Sequence, residues 1–284
     1  MKPLSLALVG AGRLATSIGL ALHAKGQPPR VVASRSTRSA NVLAQRINAA
    51  ACTLEQAVAA ADLVLLTVPD DAIECVAAEL PWRPGQAVVH CSGATEVDAL
   101  AAAADKGALV GAFHPLQIFS DPERGAVMME GSSVTIEADE PLLGQLVGLA
   151  RVLGLRPLHL PMGARAAYHG AANYAASFLL SMLDEAIQVW EAVGLPREEA
   201  LQALLPLARG TLSAAQTKGL AGALSGAVSR GDAGVVRRHL QALDALGGEH
   251  GSFYRELSRR QLELARAAGR LDDEALERLR ALLT

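Results

Sequence analysis

The chain opens with an apolar run that leads into a glycine-containing turn and then a helical pattern. The run is Leu4–Val9, the turn is Gly10-Ala-Gly12, and leucine and isoleucine then recur at helical spacing. This strand–turn–helix context makes a G-x-G-x-x-G/A match informative. Gly10 allows the tight turn, Gly12 lets a pyrophosphate approach the backbone, and Ala15 keeps the helix close to the strand. We therefore predict a dinucleotide site, with the diphosphate at the positive end of the helix.

Strand-like runs alternate with alanine-rich helical stretches up to about residue 160. The strand candidates are Leu4–Val9, Val31–Ala33, Leu63–Val68, Ala87–His90, Leu109–Ala112, Ser133–Ile136 and Arg156–Leu160. The alternation indicates a doubly wound, mostly parallel α/β sheet of the Rossmann type. Helical periodicity then continues to the C-terminus, beginning with one long helix over 164–193 that is broken only by Gly170. We predict a Rossmann domain over residues 1–161 and an all-α domain over residues 162–284.

Composition excludes several classes of protein. The 284 residues carry a formal net charge of −3, which gives no global attraction for nucleic acid or an anionic membrane. No apolar stretch reaches the roughly 18 residues that a membrane-spanning helix needs, and no signal-peptide pattern follows the first residues. The three cysteines lack C-x-x-C spacing, so we expect neither disulfides nor a metal site. These features predict a soluble cytoplasmic protein.

The segment after the second strand candidate indicates which nicotinamide coenzyme to expect. An NAD-specific fold usually has an Asp or Glu about 20 residues past the glycines. Here the segment is Ser34-Arg-Ser-Thr-Arg38, whose guanidinium and hydroxyl groups suit a 2′-phosphate. We predict NADP(H) rather than NAD(H); the alternative is a solvated basic loop that only caps the next helix. The predicted coenzyme-binding residues are Gly10, Ala11, Gly12, Arg13, Leu14, Ser34, Arg35, Ser36, Arg38, Val68, Pro69 and Ser92.

Polar residues at the ends of the later strand candidates are candidates for the chemistry. His114 follows a strand candidate and precedes a proline, which suits a general acid–base near neutral pH. The alternative is a hydrogen bond that orders the loop. Gln117 is interpreted either as a substrate contact or as a residue that only holds this loop. Ser92 is placed to hydrogen-bond a substrate oxygen. His90 is interpreted as a structural histidine and Cys91 as inert.

Three polar residues of the predicted long helix share one helical face. Arg165, His169 and Asn173 are four residues apart, and their neighbours are mostly small. One interpretation is a polar stripe at a domain interface. The other is that His169 or Asn173 binds the substrate carbonyl or the nicotinamide carboxamide.

Acidic residues near two predicted helix starts are interpreted as caps. Asp70 and Asp71 could form a carboxylate dyad, but a helix N-terminus favours negative charge, and we predict a cap. Asp232 of Arg230-Gly-Asp232 is likewise predicted to cap the following helix. Arg230 is open to a second interpretation, in which it reaches an anionic substrate in a partner subunit.

Together these residues resemble a known group of oxidoreductases. The resemblance is to pyrroline-5-carboxylate reductase and F420-dependent NADP oxidoreductase, within the 6-phosphogluconate and β-hydroxyacid dehydrogenase superfamily. More closely, the chain resembles a bacterial family that pairs a Rossmann-like domain with a C-terminal helical domain of unknown function. The features that carry the resemblance are Gly10–Leu14, Phe113–Gln117, the His169–Asn173 helix and Ser225–Asp232.

The resemblance implies roles by position. β-Hydroxyacid dehydrogenases begin the interdomain helix with a catalytic lysine and place an asparagine four residues later. His169 and Asn173 stand at the corresponding positions here, so the lysine mechanism does not carry over. Hydroxyacyl-CoA and prephenate dehydrogenases are similar at Ser92 and His114. The resemblance therefore implies that Ser92, His114 and Asn173 surround the reacting atom, with His169 as a further candidate.

The expected function is NADP(H)-dependent hydride transfer to or from a small carbonyl, imine or hydroxy-acid substrate, with a histidine moving the proton. A second hypothesis is a non-catalytic NADP(H)-binding sensor, because the helix lysine is absent. A third is hydride exchange between NADP and the deazaflavin F420, which rests on kinship alone. The alanine- and leucine-rich helical domain predicts a homodimer, as is common among relatives.

Overall fold

The computed structural model describes residues 5–284, and the first part of the chain forms an eight-stranded sheet. The strands are β1 (Leu6–Val9), β2 (Val31–Ala33), β3 (Ala50–Cys52), β4 (Leu63–Leu66), β5 (Ala87–His90), β6 (Leu109–Leu116), β7 (Ser133–Ala138) and β8 (Arg156–His159). Their order across the sheet is β3-β2-β1-β4-β5-β6-β7-β8. Neighbouring strands are parallel except for β6 and β7, which pair antiparallel. The predicted Rossmann fold class is confirmed.

Both faces of the sheet are buried, which explains why its central strands are continuously apolar. Side chains alternate along a strand, so Leu6 and Leu8 of β1 enter one core while Ala7 and Val9 enter the other. The helices that accompany the sheet are α1 (Arg13–Ala24), α2 (Thr37–Arg46), α3 (Leu54–Ala60), α4 (Ile73–Glu79), α5 (Ala101–Ala104), α6 (Pro122–Met128), α7 (Leu142–Val152) and α8 (Arg165–Ala175). The parallel strands therefore present their carboxyl ends at one edge, where loops lead into helices.

The two largest differences from the predicted sheet are at β3 and β6. Strand β3 has no counterpart among the predicted strands, because the three residues Ala50–Cys52 carry no long apolar side chain. Strand β6 continues four residues beyond the predicted Ala112, because its end pairs antiparallel with β7. His114 therefore lies inside β6, opposite Thr135, rather than after the strand.

The predicted long helix over residues 164–193 is two helices. It breaks at Ala176, whose φ of −116° and ψ of −91° are not helical, between α8 and α9 (Ser177–Ala192). Gly170 lies within α8, since a helix tolerates an interior glycine at a cost of about 1 kcal/mol relative to alanine. The prediction that Gly170 interrupts the helix was wrong.

The remaining helices are α10 (Arg197–Ala223), α11 (Ala233–Leu246), α12 (His250–Ala267) and α13 (Asp273–Leu283), and residues 162–284 contain no strand. Gly219, with a φ of +68°, interrupts α10. The chain divides into two compact units, Met1–Ala176 and Ser177–Thr284. The change from strands to helices comes after β8, whereas the units divide after α8. Within residues 5–284 no helix is both long and apolar enough to cross a membrane.

Candidate active site

A cavity of about 1050 Å³ opens in the first unit at the carboxyl ends of β1, β2, β4 and β5. It lies where the strand order reverses, since β1 pairs with β2 on one side and with β4 on the other. Open α/β sheets bind ligands at such a switch point. The predicted coenzyme residues that line the cavity are Gly10, Ala11, Gly12, Arg13, Leu14, Ser34, Arg35, Val68, Pro69 and Ser92.

The turn after β1 has the backbone that the glycine pattern predicts. Gly10 has a φ of +111°, and a Cβ there would lie 2.6 Å from the carbonyl oxygen of Thr67. Thr67 follows β4, and its hydroxyl donates to the carbonyl of Val9 over 3.1 Å. The turn and the end of β4 are therefore in close backbone contact, which leaves no room for a side chain at residue 10.

Gly12 faces open space instead. It is the N-cap of α1, its Cβ position has no atom within 4 Å, and the first turn of α1 contains no acidic residue. The N–H groups at this helix end have no side-chain cap and point to a place that an anion can occupy. This arrangement fits the diphosphate of a dinucleotide.

Ser36 and Arg38, which the sequence also assigns to coenzyme binding, do not line this cavity. Ser36 is the N-cap of α2, and its hydroxyl accepts from the backbone N–H of Ser39 over 3.2 Å. Arg38 lines a smaller cavity of about 200 Å³, which shares Ala11 and Ser39 with the larger one. Arg38 is thus next to the larger cavity, whereas the Ser36 hydroxyl caps the N-terminus of α2.

Asp70 and Asp71 do not form the predicted helix cap. They lie in a 3₁₀ turn, Asp70–Ala72, and neither that turn nor α4 has a side-chain capping hydrogen bond. Asp70 instead lines the cavity. The cap prediction was wrong because a tight turn separates these residues from the start of α4.

Several cavity residues were missed from the sequence. One face of α4 lines the cavity, and the loop after β6 contributes a second set. These residues are Ala72, Cys75, Val76, Glu79, Ile118, Phe119 and Ser120. Residues 72, 75, 76 and 79 are three or four positions apart and so share one helical face. This helical spacing in the sequence could have identified them as a group that faces the cavity.

A cluster of three polar side chains lies beyond the cavity, at the carboxyl end of β6. We call His114, Tyr168 and His169 the polar cluster. Nδ1 of His114 is hydrogen-bonded to the Tyr168 hydroxyl over 3.0 Å, and the His114 and His169 rings meet edge to face with centroids 5.8 Å apart. The structure thus brings together the two histidines that the sequence singled out.

Gly93, in the loop after β5, packs against the polar cluster. A Cβ on Gly93 would lie 2.5 Å from Cδ2 of His169 and 2.9 Å from Nε2 of His114. Because its φ is not in the left-handed region, glycine is required there for space alone. Tyr168, three residues after Arg165, was missed because only the four-residue spacing was followed; spacing of three reaches the same face.

The other proposed site residues make local hydrogen bonds. The Ser92 hydroxyl accepts from the backbone N–H of Thr95 over 3.0 Å and pairs with its side-chain hydroxyl over 2.9 Å. Asn173 donates to the carbonyl of His169 over 3.3 Å. Gln117 donates to the Ser132 hydroxyl over 3.0 Å and so ties the loop after β6 to the start of β7.

Burial and neighbouring positive charge shape the titration of the site. Burial, then His169 and the Arg165 guanidinium, lower the pKa of His114 to about 4. Burial raises the pKa of Tyr168. At neutral pH His114 is therefore a neutral imidazole bonded to a protonated phenol. Burial likewise raises the pKa of Cys91 to about 12, which agrees with an inert thiol.

Comparisons with known proteins divide the sequence into two parts. A Rossmann-like domain model matches residues 1–115, and a model described as a domain of unknown function, DUF2520, matches residues 132–261. The chain combines a Rossmann-like domain with a DUF2520 domain. The predicted resemblance to a family that pairs a Rossmann-like domain with a domain of unknown function is confirmed. A search among functionally curated proteins finds no significant match.

Solved structures similar to this Rossmann–DUF2520 chain come from several organisms. Protein TM1727 from Thermotoga maritima is 23% identical with a TM-score of 0.75, over 92% of this chain and 98% of that one. BF3122 from Bacteroides fragilis, described as a provisional NADP oxidoreductase, is 26% identical with a TM-score of 0.68, over 91% and 97%. A reductive aminase from Aspergillus terreus, in complex with NADPH and ethyl-5-oxohexanoate, is 17% identical with a TM-score of 0.62, over 99% and 93%.

Proposed function

We propose that this chain is an NADP(H)-dependent oxidoreductase that transfers hydride to or from a small carbonyl, imine or hydroxy-acid substrate. His114 serves as proton donor and acceptor. The observation that carries the proposal is the cavity with a dinucleotide turn, at the sheet edge that also holds the hydrogen-bonded His114–Tyr168 pair. The neighbours described as an NADP oxidoreductase and as a reductive aminase with NADPH support it.

The residues present fit the coenzyme. The open space at Gly12 and the uncapped start of α1 would hold the diphosphate, and Val68 and Pro69 would lie beside the nicotinamide half. Arg35 and the adjacent Arg38 would bind the 2′-phosphate. When bound, the coenzyme supplies or accepts the hydride.

The polar cluster handles the proton. A neutral imidazole is a donor at one ring nitrogen and an acceptor at the other. His114 can therefore release a proton from Nε2 to a substrate oxygen or nitrogen while it accepts one at Nδ1 from the Tyr168 hydroxyl. In the oxidative direction the two transfers reverse. Tyr168 is half-buried, so it can exchange its proton with solvent.

The direct test is NADPH oxidation with a panel of cyclic imines, 2-oxo acids and small ketones, and NADP⁺ reduction with β-hydroxy acids. A general acid–base contributes about 10²- to 10⁴-fold to rate, so His114→Ala should lower kcat by that factor while NADPH affinity stays the same. The matched control is His159→Ala, since His159 is an exposed histidine of the same sheet.

Other results of these assays would contradict the role of His114 or favour one of the alternative functions. Unchanged turnover in His114→Ala would remove this histidine from the mechanism. Tight NADPH binding without oxidation of any substrate would favour the sensor hypothesis. An absorbance change on mixing with reduced F420 would favour transfer to the deazaflavin.

The preference for NADP(H) over NAD(H) is part of the proposal. A hydrogen bond to a charged group contributes about 1.5–3 kcal/mol, so Arg35→Ala should weaken NADPH binding by about 10- to 100-fold and leave NADH binding nearly unchanged. Arg38→Ala should give a smaller effect in the same direction, because Arg38 lines the adjoining cavity. Calorimetric titration with both coenzymes measures the ratio. Equal losses for NADPH and NADH would contradict the assignment.

We propose that residues 162–284 form a substrate and homodimerisation domain. The support is a set of exposed leucines on α9 and α10, namely Leu180, Leu207, Leu212 and Leu220, which are 56–68% exposed. Soluble monomers rarely expose large contiguous apolar patches, and such patches mark interaction surfaces. Sedimentation equilibrium should give a dimer, and only monomer at micromolar concentration would contradict it. The placing of exposed Arg230 in a partner's substrate site stays a prediction.

A further inference from the structure

Arg165, the first residue of α8, is completely buried, with 0% of its surface exposed. Burying a guanidinium is costly unless its charge is paired and its N–H groups are hydrogen-bonded. An arginine at this position supplies directed hydrogen bonds that an apolar residue of the same size could not make.

The contacts of Arg165 tie two separate segments, the loop after β5 and strand β7, to the start of α8. Its Nε donates to Glu137 of β7 over 2.8 Å, and its Nη1 donates to the carbonyl of Ser92 over 2.9 Å. Its backbone N–H donates to the Glu96 carboxylate over 3.1 Å. Nη2 is buried and has no hydrogen-bond partner within residues 5–284. The guanidinium is thus fixed by directed bonds to the loop after β5 and to β7.

The Ser92 anchor lies next to the polar cluster. Ser92 immediately precedes Gly93, whose backbone packs against both histidines. Tyr168 and His169 follow Arg165 by three and four residues, which is one helical turn. A shift of the first turn of α8 relative to the loop would therefore move Tyr168 away from His114.

We infer that Arg165 is a positioning residue, which fixes α8 against the loop after β5 so that Tyr168 stays hydrogen-bonded to His114 beside Gly93. The catalytic consequence rests on the proposed function, but the geometric claim does not. Glu137 holds the guanidinium in its orientation. Lysine could keep the positive charge but not the two directed bonds, because it lacks the planar fork.

Arg165 also affects the titration of His114. The titratable groups of the segments packed around this ring are His90 of β5, Glu96 of the loop after β5, Glu137 of β7, and Arg165, Tyr168 and His169 of α8. Burial lowers the pKa of His114 first, and the charges of His169 and Arg165 lower it further. Glu137 offsets part of the Arg165 charge, because its carboxylate is 2.8 Å from Nε.

Two readouts test the inference. The first is the ¹⁵N chemical shift of His114 Nδ1 in histidine-labelled protein, with His114→Gln for assignment and Tyr168→Phe as the reference for a lost hydrogen bond. In Arg165→Lys and Arg165→Gln the Nδ1 signal should move toward that of Tyr168→Phe. The exposed Arg156→Gln is the control and should leave it unchanged. A wild-type Nδ1 shift in folded Arg165→Lys would overturn the positioning role.

The second readout is the pH titration of the same ring. Arg165→Gln removes a positive charge, so the pKa of His114 should rise. Glu137→Gln leaves the guanidinium uncompensated, so this pKa should fall or stay where it is. Looser packing around His114 would raise its pKa in both variants. A raised pKa in Glu137→Gln would therefore overturn the claim that the Arg165 charge lowers the pKa of His114. Both NMR readouts are independent of turnover. Failure of the positioning role can therefore be distinguished from failure of the proposed function.

If the enzyme turns over as proposed, Arg165→Lys should lower kcat by about tenfold or more, because small displacements of reacting groups have large effects on rate. NADPH affinity should change much less than kcat, since Arg165 does not itself line the coenzyme cavity and reaches it only through the Ser92 carbonyl. An unchanged kcat together with a displaced Nδ1 signal would overturn the catalytic consequence.

Discussion

The coenzyme cavity and the polar cluster lie at the same edge of one sheet and are built in opposite ways. The cavity begins at five consecutive residues, Gly10–Leu14, and its turn depends on backbone shape. The polar cluster depends on the side chains of His114 and of two α8 residues, which are far apart in sequence, and a buried guanidinium holds α8 beside them. A backbone site is therefore sensitive to added volume, whereas a side-chain site is sensitive to lost charge or hydrogen bonds as well.

The largest expected effect is at the glycine turn, where two neighbouring substitutions separate folding from binding. Gly10→Ala adds a Cβ 2.6 Å from the Thr67 carbonyl at a φ of +111°. Backbone strain of order 1–3 kcal/mol and a similar packing cost should reduce stability as well as NADPH binding. Gly12→Ala meets no atom within 4 Å, so it should keep the melting temperature and lose binding.

Thermal melts with and without NADPH measure both quantities. If Gly12→Ala binds NADPH normally, the diphosphate does not sit at this turn. If Gly10→Ala is as stable as the wild type, the backbone account of the cavity is wrong.

The second-largest expected effect is that of a substitution at Gly93. It tests whether the polar cluster, like the glycine turn, cannot accommodate an added side chain. Gly93→Ala places a methyl group 2.5 Å from Cδ2 of His169 and 2.9 Å from Nε2 of His114. A displacement of this size should lower kcat by about 100-fold and leave NADPH affinity within a few-fold. Gly148→Ala is the control, since nothing lies within 4 Å of that position on α7. Normal turnover in Gly93→Ala would show that the histidines can move without consequence.

The smallest effect at neutral pH is the acid sensitivity of the sheet edge, which develops only below pH 6.5. The pKa values of His90 and His114 are about 4 in the fold, against 6.5 in an unfolded chain, chiefly because of burial. Between these values the unfolded chain binds more protons, so stability should fall as the pH decreases from 6.5 to 4 and stay level above 6.5.

Urea unfolding across this pH range measures the slope of stability with pH. Each histidine contributes at most about 1.4 kcal/mol per pH unit, so His114→Gln should flatten the slope by no more than this amount. His23→Gln, at an exposed position of α1, should leave the slope unchanged. A steeper slope in His114→Gln would contradict the lowered pKa.

Helix caps illustrate how far local patterns can be trusted. Asp232 accepts from the backbone N–H of Val235 over 3.0 Å and caps α11, as its sequence context predicts. Asp70 and Asp71 offered an equally good local pattern, yet a 3₁₀ turn intervenes and neither caps a helix. The cap of α11 needs only four consecutive residues, whereas the turn at Asp70 depends on how the chain leaves β4.

The amino-acid sequence by itself determined the Rossmann domain and the glycine turn, because alternating apolar runs and a local Gly-x-Gly pattern act over a few residues. It also identified His114 and His169 as chemically notable. Only the tertiary structure decided that β6 extends past His114, that Tyr168 bonds to it, and that Arg165 is buried between Ser92 and Glu137. The hydrogen bonds of Tyr168 and of the Arg165 guanidinium join residues 28 to 73 positions apart, and sequence periodicity does not encode such distances.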